Sequence, residues 1–186
     1  MSKDRETDAK AAETRVLAKG RYLTLVDEGG WEYVTRPGVT GIVVIIALTQ
    51  DRRLVLVEQY RPAVHKRVIE LPAGLVGDVD GQHAESMADA AARELEEETG
   101  YAAAEMVALY EGPIAVGVSD EIVSFFEARG LTRVGAGGGD ETEDITVHEV
   151  PLGKLKEFLA EKVEAGLSVD VKTYAGLFLA GVSPPG

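Results

Sequence analysis

The sequence predicts an α/β protein, a mixed β-sheet with helices packed on it and a small antiparallel β unit ahead of it, and three observations carry that prediction. Short runs rich in β-branched and aromatic residues recur between Gly, Pro and Asp turns. One of them, VTGIVVIIAL at 39–48, is apolar almost throughout, the pattern of a central strand covered on both faces. Residues 85–99 then carry Met87, Ala88, Ala91, Ala92 and Leu95 at helical spacing, with Gly100 standing where a helix stop belongs.

Taken in order, residues 1–14 are polar and charged and are expected to be disordered. RVLAK, RYLTLVD and WEYVTRPG follow, the last two parted by Glu28-Gly29-Gly30, and define a β unit over 15–40. The main domain, 41–186, begins with the apolar strand and RLVLVEQY, joined through a turn at Gln50-Asp51-Arg52. RPAVHKR reads as a loop, VIELPAG as one short strand, and GLVGDVDGQ as a loop because of its Gly and Asp content. Beyond the helix, AEMVALYEG and EIVSFFEARG read as strands enclosing the loop GPIAVGVSDE. GAGGGDETED reads as a flexible acidic loop, and ITVHEV as a strand. A helix presenting Leu152, Leu155, Phe158, Leu159 and Val163 ends at Gly166, and a last helix covers Val171 to Leu179.

Composition excludes several classes. A formal charge of −13 leaves no basic footprint for nucleic acid phosphates or for an anionic membrane surface. There is no cysteine, hence no disulfide, thiolate zinc site or cysteine nucleophile. The N-terminus lacks an apolar signal core and no apolar run approaches a membrane span, so a cytoplasmic protein is expected.

The stretch RELEEETGY at 93–101 crowds glutamates, and Glu94, Glu97 and Glu98 fall on one helix face. Such crowding reads either as a solvated acidic face or as a seat for a hard divalent cation, which carboxylate oxygens bind. The wider pattern separates the two. Glu85, seven residues, then Arg93-Glu94-Leu95-Glu96-Glu97-Glu98-Thr99-Gly100-Tyr101 resembles the Nudix box, G-x5-E-x7-R-E-U-x-E-E-x-G-U, where U is bulky and apolar. Every position from the first glutamate onward matches. The box glycine would fall at Val79, and Gly74 in LPAG takes its place ahead of a loop five residues longer.

The resemblance implies a Nudix fold, an α/β/α sandwich, and hydrolysis of a nucleoside diphosphate derivative with Mg²⁺ or Mn²⁺, two or more ions per site. By the same resemblance Glu94 and Glu98 are metal ligands, Glu97 a third or water-mediated one, and the Ala73 carbonyl a further one, with Glu97 and Glu98 thereby counted among the catalytic residues. Glu85, Arg93, Gly74 and Gly100 support the box. VEQYRP, ELPAG, GVSDE, ETEDITVHEVPL and DVKTYAGLFL resemble the ADP-ribose pyrophosphatase and nucleotide-sugar hydrolase group. In that group an acidic loop supplies the catalytic base, here Glu141, with Glu143 an extra metal contact; a shift of two residues would exchange them. Arg61 corresponds to a residue that meets substrate phosphate, and Glu70 and Glu121 line the same region. Members tuned to ADP-ribose often carry SPG before SDE, whereas this chain has Val116-Gly117-Val118-Ser119-Asp120-Glu121 and an earlier Pro113. On the anchors quoted above, and despite this departure, ADP-ribose is the expected substrate, with GDP-mannose or another nucleoside diphosphate sugar next, and a catalytically inactive nucleotide-binding regulator as the alternative of another class. The group also implies a homodimer built through 15–40, where Trp31 and Tyr33 either stack on a base or pack in the interface.

Overall fold

The structure is a computed structural model that describes residues 13–77, 85–139 and 144–182. The chain divides into two units, one of residues 1–38 with 113–121, the other of 39–112 with 122–186. In the first, β1 (Thr14–Lys19), β2 (Thr24–Glu28) and β3 (Trp31–Thr35) form an antiparallel sheet in that order. Its β2–β3 turn uses Gly29 and Gly30, both at positive φ, and Asp27 closes it by accepting from the Gly30 amide at 3.1 Å. This unit is not made of the three strands alone. The loop at 113–121 joins it, the Val34 amide donating to the Val118 carbonyl at 2.8 Å and Arg36 pairing with Glu121 at 3.0 Å.

In the second unit, β4 (Gly41–Ala47), β5 (Arg53–Arg61), β6 (Lys66–Glu70) and β7 (Ala73–Val76) lead into α1 (Met87–Thr99). There follow β8 (Tyr101–Ala102), β9 (Glu105–Pro113), β10 (Ile122–Arg129), β11 (Thr132–Arg133), β12 (Thr146–Pro151), α2 (Leu155–Glu164), β13 (Ser168–Val169) and α3 (Val171–Leu179). The strands divide between two four-stranded sheets, β7-β4-β10-β9 and β12-β5-β6-β13, with β11-β8 a small pair. β4 runs parallel to β10 and antiparallel to β7, so its backbone is paired on both edges. Alternate side chains then point to opposite faces. Val43, Ile45 and Ala47 pack with Ala91 and Leu95 of α1, while Val44 and Ile46 join the cluster holding Leu155 and Leu159 of α2 and Leu177 of α3. All five β4 residues are fully buried, as an apolar central strand predicts.

VIELPAG, read above as one strand, is two strands in different sheets. β6 ends at Glu70 and β7 begins at Ala73. Pro72 stands between them without an N–H to donate, while its carbonyl accepts from the Ile45 amide at 2.8 Å. This switch carries Ala73 and Gly74 onto the edge of β4, facing α1. The short strands β8, β11 and β13 were not legible either, being two residues each and fixed by their partners.

The second sheet is locked by Glu58 of β5, whose carboxylate accepts from Arg67 of β6 at 2.8 Å, His148 of β12 at 2.9 Å and Lys162 of α2 at 2.7 Å. Burial works to raise the Glu58 carboxyl, but hydrogen bonds from Lys162, His148 and Arg67 outweigh it and hold it at about 2. Burial lowers the His148 imidazole from its usual 6.5, against the opposing pull of Glu58. Both groups bind fewer protons folded than unfolded, so both lose stability as pH falls. Loss is expected first below 6.5, from His148, and then between 4.5 and about 2, from Glu58. Urea midpoints at a series of pH values check this: Glu58→Gln should flatten the lower limb and deepen the upper one, since the pull that opposes burial at His148 is then lost, and an unchanged lower limb would refute the assignment.

Candidate active site

α1 is capped by Ser86, whose hydroxyl accepts from the Asp89 amide at 3.1 Å, so the helix begins at Met87, two residues after the sequence-based start at Glu85. It ends on Gly100 in the left-handed region, whose amide donates to the Glu96 carbonyl at 2.8 Å. A Cβ at Gly100 would meet the Gly135 carbonyl oxygen at 2.3 Å, so close backbone approach as well as conformation requires glycine there.

The helix lays its acidic face against the β7 backbone. Glu98 is 2% exposed, and its carboxylate accepts from the Ala73 amide at 3.1 Å. Glu94 lies under Gly74, where a Cβ would fall 1.9 Å from the Glu94 carboxyl carbon. Arg93 offsets the repulsion within the cluster. Its guanidinium donates to Glu85 at 3.1 and 3.3 Å, to the Leu75 carbonyl at 3.4 Å, to Glu94 at 2.8 Å and to Glu97 at 3.0 Å. These contacts, Glu85 first among them, raise the Arg93 pKa further. One cation thus binds the loop residue Glu85, the β7 edge and two helix carboxylates into a single body.

Arg61 and Glu70 form a two-pronged pair at 2.8 and 2.6 Å, with Glu70 3% exposed and the Arg61 side chain 44% exposed. The pair leaves part of the guanidinium open to solvent, and Glu70 raises the Arg61 pKa. Glu121 belongs to the other unit, where Arg36 holds it. Glu141 and Glu143 lie outside the described residues.

The glycines ahead of them do more than loosen a loop. The last carbonyls of a helix lack partners within it, and here the Gly138 amide donates to the Glu98 carbonyl at 2.8 Å and the Gly139 amide to Glu97 at 3.0 Å. Gly137 is at positive φ, and a Cβ on it would meet the Thr99 carbonyl carbon at 2.4 Å. The run of glycines is therefore a close-fitting cap on α1, a role that its linker-like composition concealed.

Among the described residues no three acidic or histidine side chains stand gathered as a ready cation site. The donor chemistry nonetheless fits a hard divalent ion: glutamates of one helix face lie against the β7 backbone, with Arg93 placing positive charge between Glu94 and Glu97, and Gly74 keeping Glu94's space open. Gly74→Ala is expected to displace the flexible Glu94 carboxylate rather than the backbone. Activity should fall by about 10–100-fold with a raised metal requirement, while the melting temperature shifts little. A large drop in melting temperature with activity per folded molecule retained would contradict this.

Fold and site together define an α/β protein in which glutamates of one helix face lie against the β7 backbone, tied together by Arg93. Residues 39–167 match the NUDIX domain, and the chain belongs to that family. Its members are generally dependent on divalent metal. The chain is 36% identical over 165 residues to the methanol dehydrogenase activator of Bacillus methanolicus, covering 83% of this chain and 85% of that one. It is 36% identical over 179 residues to the ADP-ribose pyrophosphatase of Mycobacterium tuberculosis, covering 92% and 83%. A crystal structure of an ADP compounds hydrolase superposes with a TM-score of 0.69 at 22% identity, covering 91% of this chain and 90% of that one, and shows the same fold. Among the described residues no helix is long and apolar enough to cross a membrane.

Proposed function

We propose that the protein hydrolyses the diphosphate of ADP-ribose or a related nucleoside diphosphate sugar, giving a nucleoside monophosphate and a sugar phosphate. The observation that carries this reading is the intact glutamate set of α1 seated on Ala73 and Gly74 and knitted by Arg93. Glu94, Glu97, Glu98 and the Ala73 carbonyl would hold Mg²⁺, or Mn²⁺, with Glu143 as a further contact. Bound there, two or more cations would neutralise the diphosphate charge. The chain supplies the rest. Arg61, steadied by Glu70, receives a phosphate oxygen. Glu141 takes the proton of the water whose oxygen attacks one phosphorus, and the P–O bond of the bridge breaks as the second phosphate departs. A cytoplasmic homodimer belongs to the same reading: Val16, Leu17, Tyr22, Leu23 and Trp31 are all exposed in the N-terminal unit, and a monomeric mass by light scattering would remove the dimer from it.

Product analysis with Mg²⁺ and a panel of ADP-ribose, GDP-mannose, ADP-glucose, NADH and dGTP tests the reading. Turnover of ADP-ribose supports it, and preference for GDP-mannose moves the substrate within the class. The likeness to a protein named as an enzyme activator favours one second reading, a regulator that binds nucleotide without turnover. No hydrolysis of any panel member with Mg²⁺ or Mn²⁺ would establish that alternative over the first.

A further inference from the structure

We infer that the side-chain amide of Gln59 is a substrate contact, donating to a phosphate oxygen beside Arg61; this rests on the function proposed above and extends its substrate site by one residue. Gln59 lies on β5, directly across from Val68 of β6. Alternate residues of a strand share a face, so Val55, Val57, Gln59 and Arg61 point one way, together with Val68 and Glu70 across from them on β6. Val55 fixes which way that is, because it packs with Ala91 and Leu95 of α1. The acids of α1 act on the same side: the Arg61 pKa is raised by the hydrogen bond to Glu70 first, and by the charge of Glu98 as well.

Within that face Gln59 is buried without being satisfied. It is 7% exposed, yet among the described residues its amide has no hydrogen-bond partner. An unpaired buried amide is costly, and an apolar side chain of the same length would fill the place beside Val57 and Val68 without that cost. Nor is the amide sealed in. Among the described residues, the one side-chain polar atom closed off from solvent without a partner is the Thr173 hydroxyl. The donors and acceptors of the Gln59 amide are therefore unspent and within reach of a ligand.

Arg61 indicates which ligand. Its Nε and Nη2 are spent on the two oxygens of Glu70, at 2.8 and 2.6 Å, which leaves Nη1 for another acceptor. Gln59 and Arg61 are roughly 7 Å apart along the strand, and both side chains are long enough to converge on one group. The unspent donors on this face are thus one edge of a guanidinium and a primary amide, and together they suit an anion with several oxygens, as a phosphate is. The amide adds what a second cation could not. Being neutral, it is not captured by the carboxylates of Glu70 and Glu98 while the site is empty, so its donors stay free for substrate. In the sequence Gln59 was one letter of VEQYRP, and its burial without a partner is what singles it out.

Three measurements on the whole chain test the inference: steady-state kinetics with Mg²⁺ and ADP-ribose, or whichever panel member is turned over best, titration with ADP in the presence of Mg²⁺, and thermal melting. Gln59→Met keeps the length of the side chain and removes the amide. Its melting temperature should equal or exceed the parent's, while kcat/KM falls by about 10–100-fold, mostly through KM, and ADP binds more weakly by a similar factor. Gln59→Glu keeps the shape but turns a like charge toward phosphate, so it should lose more than Gln59→Met in both. Parental kcat/KM and ADP affinity in Gln59→Met overturn the inference. So does a Gln59→Met protein that melts well below the parent with activity per folded molecule retained, since the amide would then serve the fold. A parent that binds ADP but hydrolyses no panel member overturns the proposed function alone, and the ADP affinity of Gln59→Met then decides the inference. A parent that does neither overturns both.

Discussion

Glu98→Gln is expected to abolish useful turnover, with kcat/KM falling by about 10³-fold or more, while the protein melts at the parental temperature or above it. The catalytic half follows from the proposed role: a ligand carboxylate stabilises charge worth several kcal/mol in the transition state, and an amide oxygen carries no net charge to offer. The stability half follows from burial. Glu98 is 2% exposed beside Glu94 and Glu97, so its charge is costly to keep there, and glutamine is the same shape. The amide oxygen can still accept from the Ala73 amide, which now meets the carboxylate at 3.1 Å. Kinetics and calorimetry on the same preparation decide it. A variant that unfolds well below the parent makes Glu98 structural, and one with parental turnover removes it from the site.

Glu141→Gln is expected to lower kcat by ~10²–10⁴-fold, the usual contribution of a general base, with little change in KM or in metal affinity. A base acts as the proton leaves water in the transition state, whereas ground-state binding belongs to α1 and Arg61. Glu143→Gln should behave differently: raising Mg²⁺ should restore part of its activity, since a lost metal contact weakens binding that mass action can recover. Excess metal should do nothing for Glu141→Gln. If Glu143→Gln loses kcat without metal rescue and Glu141→Gln does not, the two roles are exchanged. If neither substitution matters, the base lies outside 140–143, with Glu97 and Glu121 the next to replace.

Much of the site was legible because its information is local. Helical spacing puts Glu94, Glu97 and Glu98 on one face whatever surrounds the helix, and the box pattern names Glu85 and Arg93 as their companions. The apolar run at 39–48 announced a strand buried on both faces, since no other placement removes so many branched side chains from water. Less was legible where one residue type serves two ends. Pro72 was read as part of a strand and is the point where the chain changes sheets. The glycines at 135–139 were read as slack and are a cap on α1, because composition records the missing Cβ but not the carbonyl that needs the space.

By itself, then, the sequence determined the fold class, the acidic helix and the chemistry its carboxylates can support, all set by periodicity and residue type within short windows. Only the tertiary structure decided how the like charges are reconciled, through one guanidinium reaching Glu85, Glu94, Glu97 and the Leu75 carbonyl, and that Glu58 is the shared anchor of four elements. It also decided that Arg67 grips Asp144, 77 positions away. Contacts of that kind join residues remote along the chain, and their geometry exists only once the sheets have brought them within hydrogen-bonding distance.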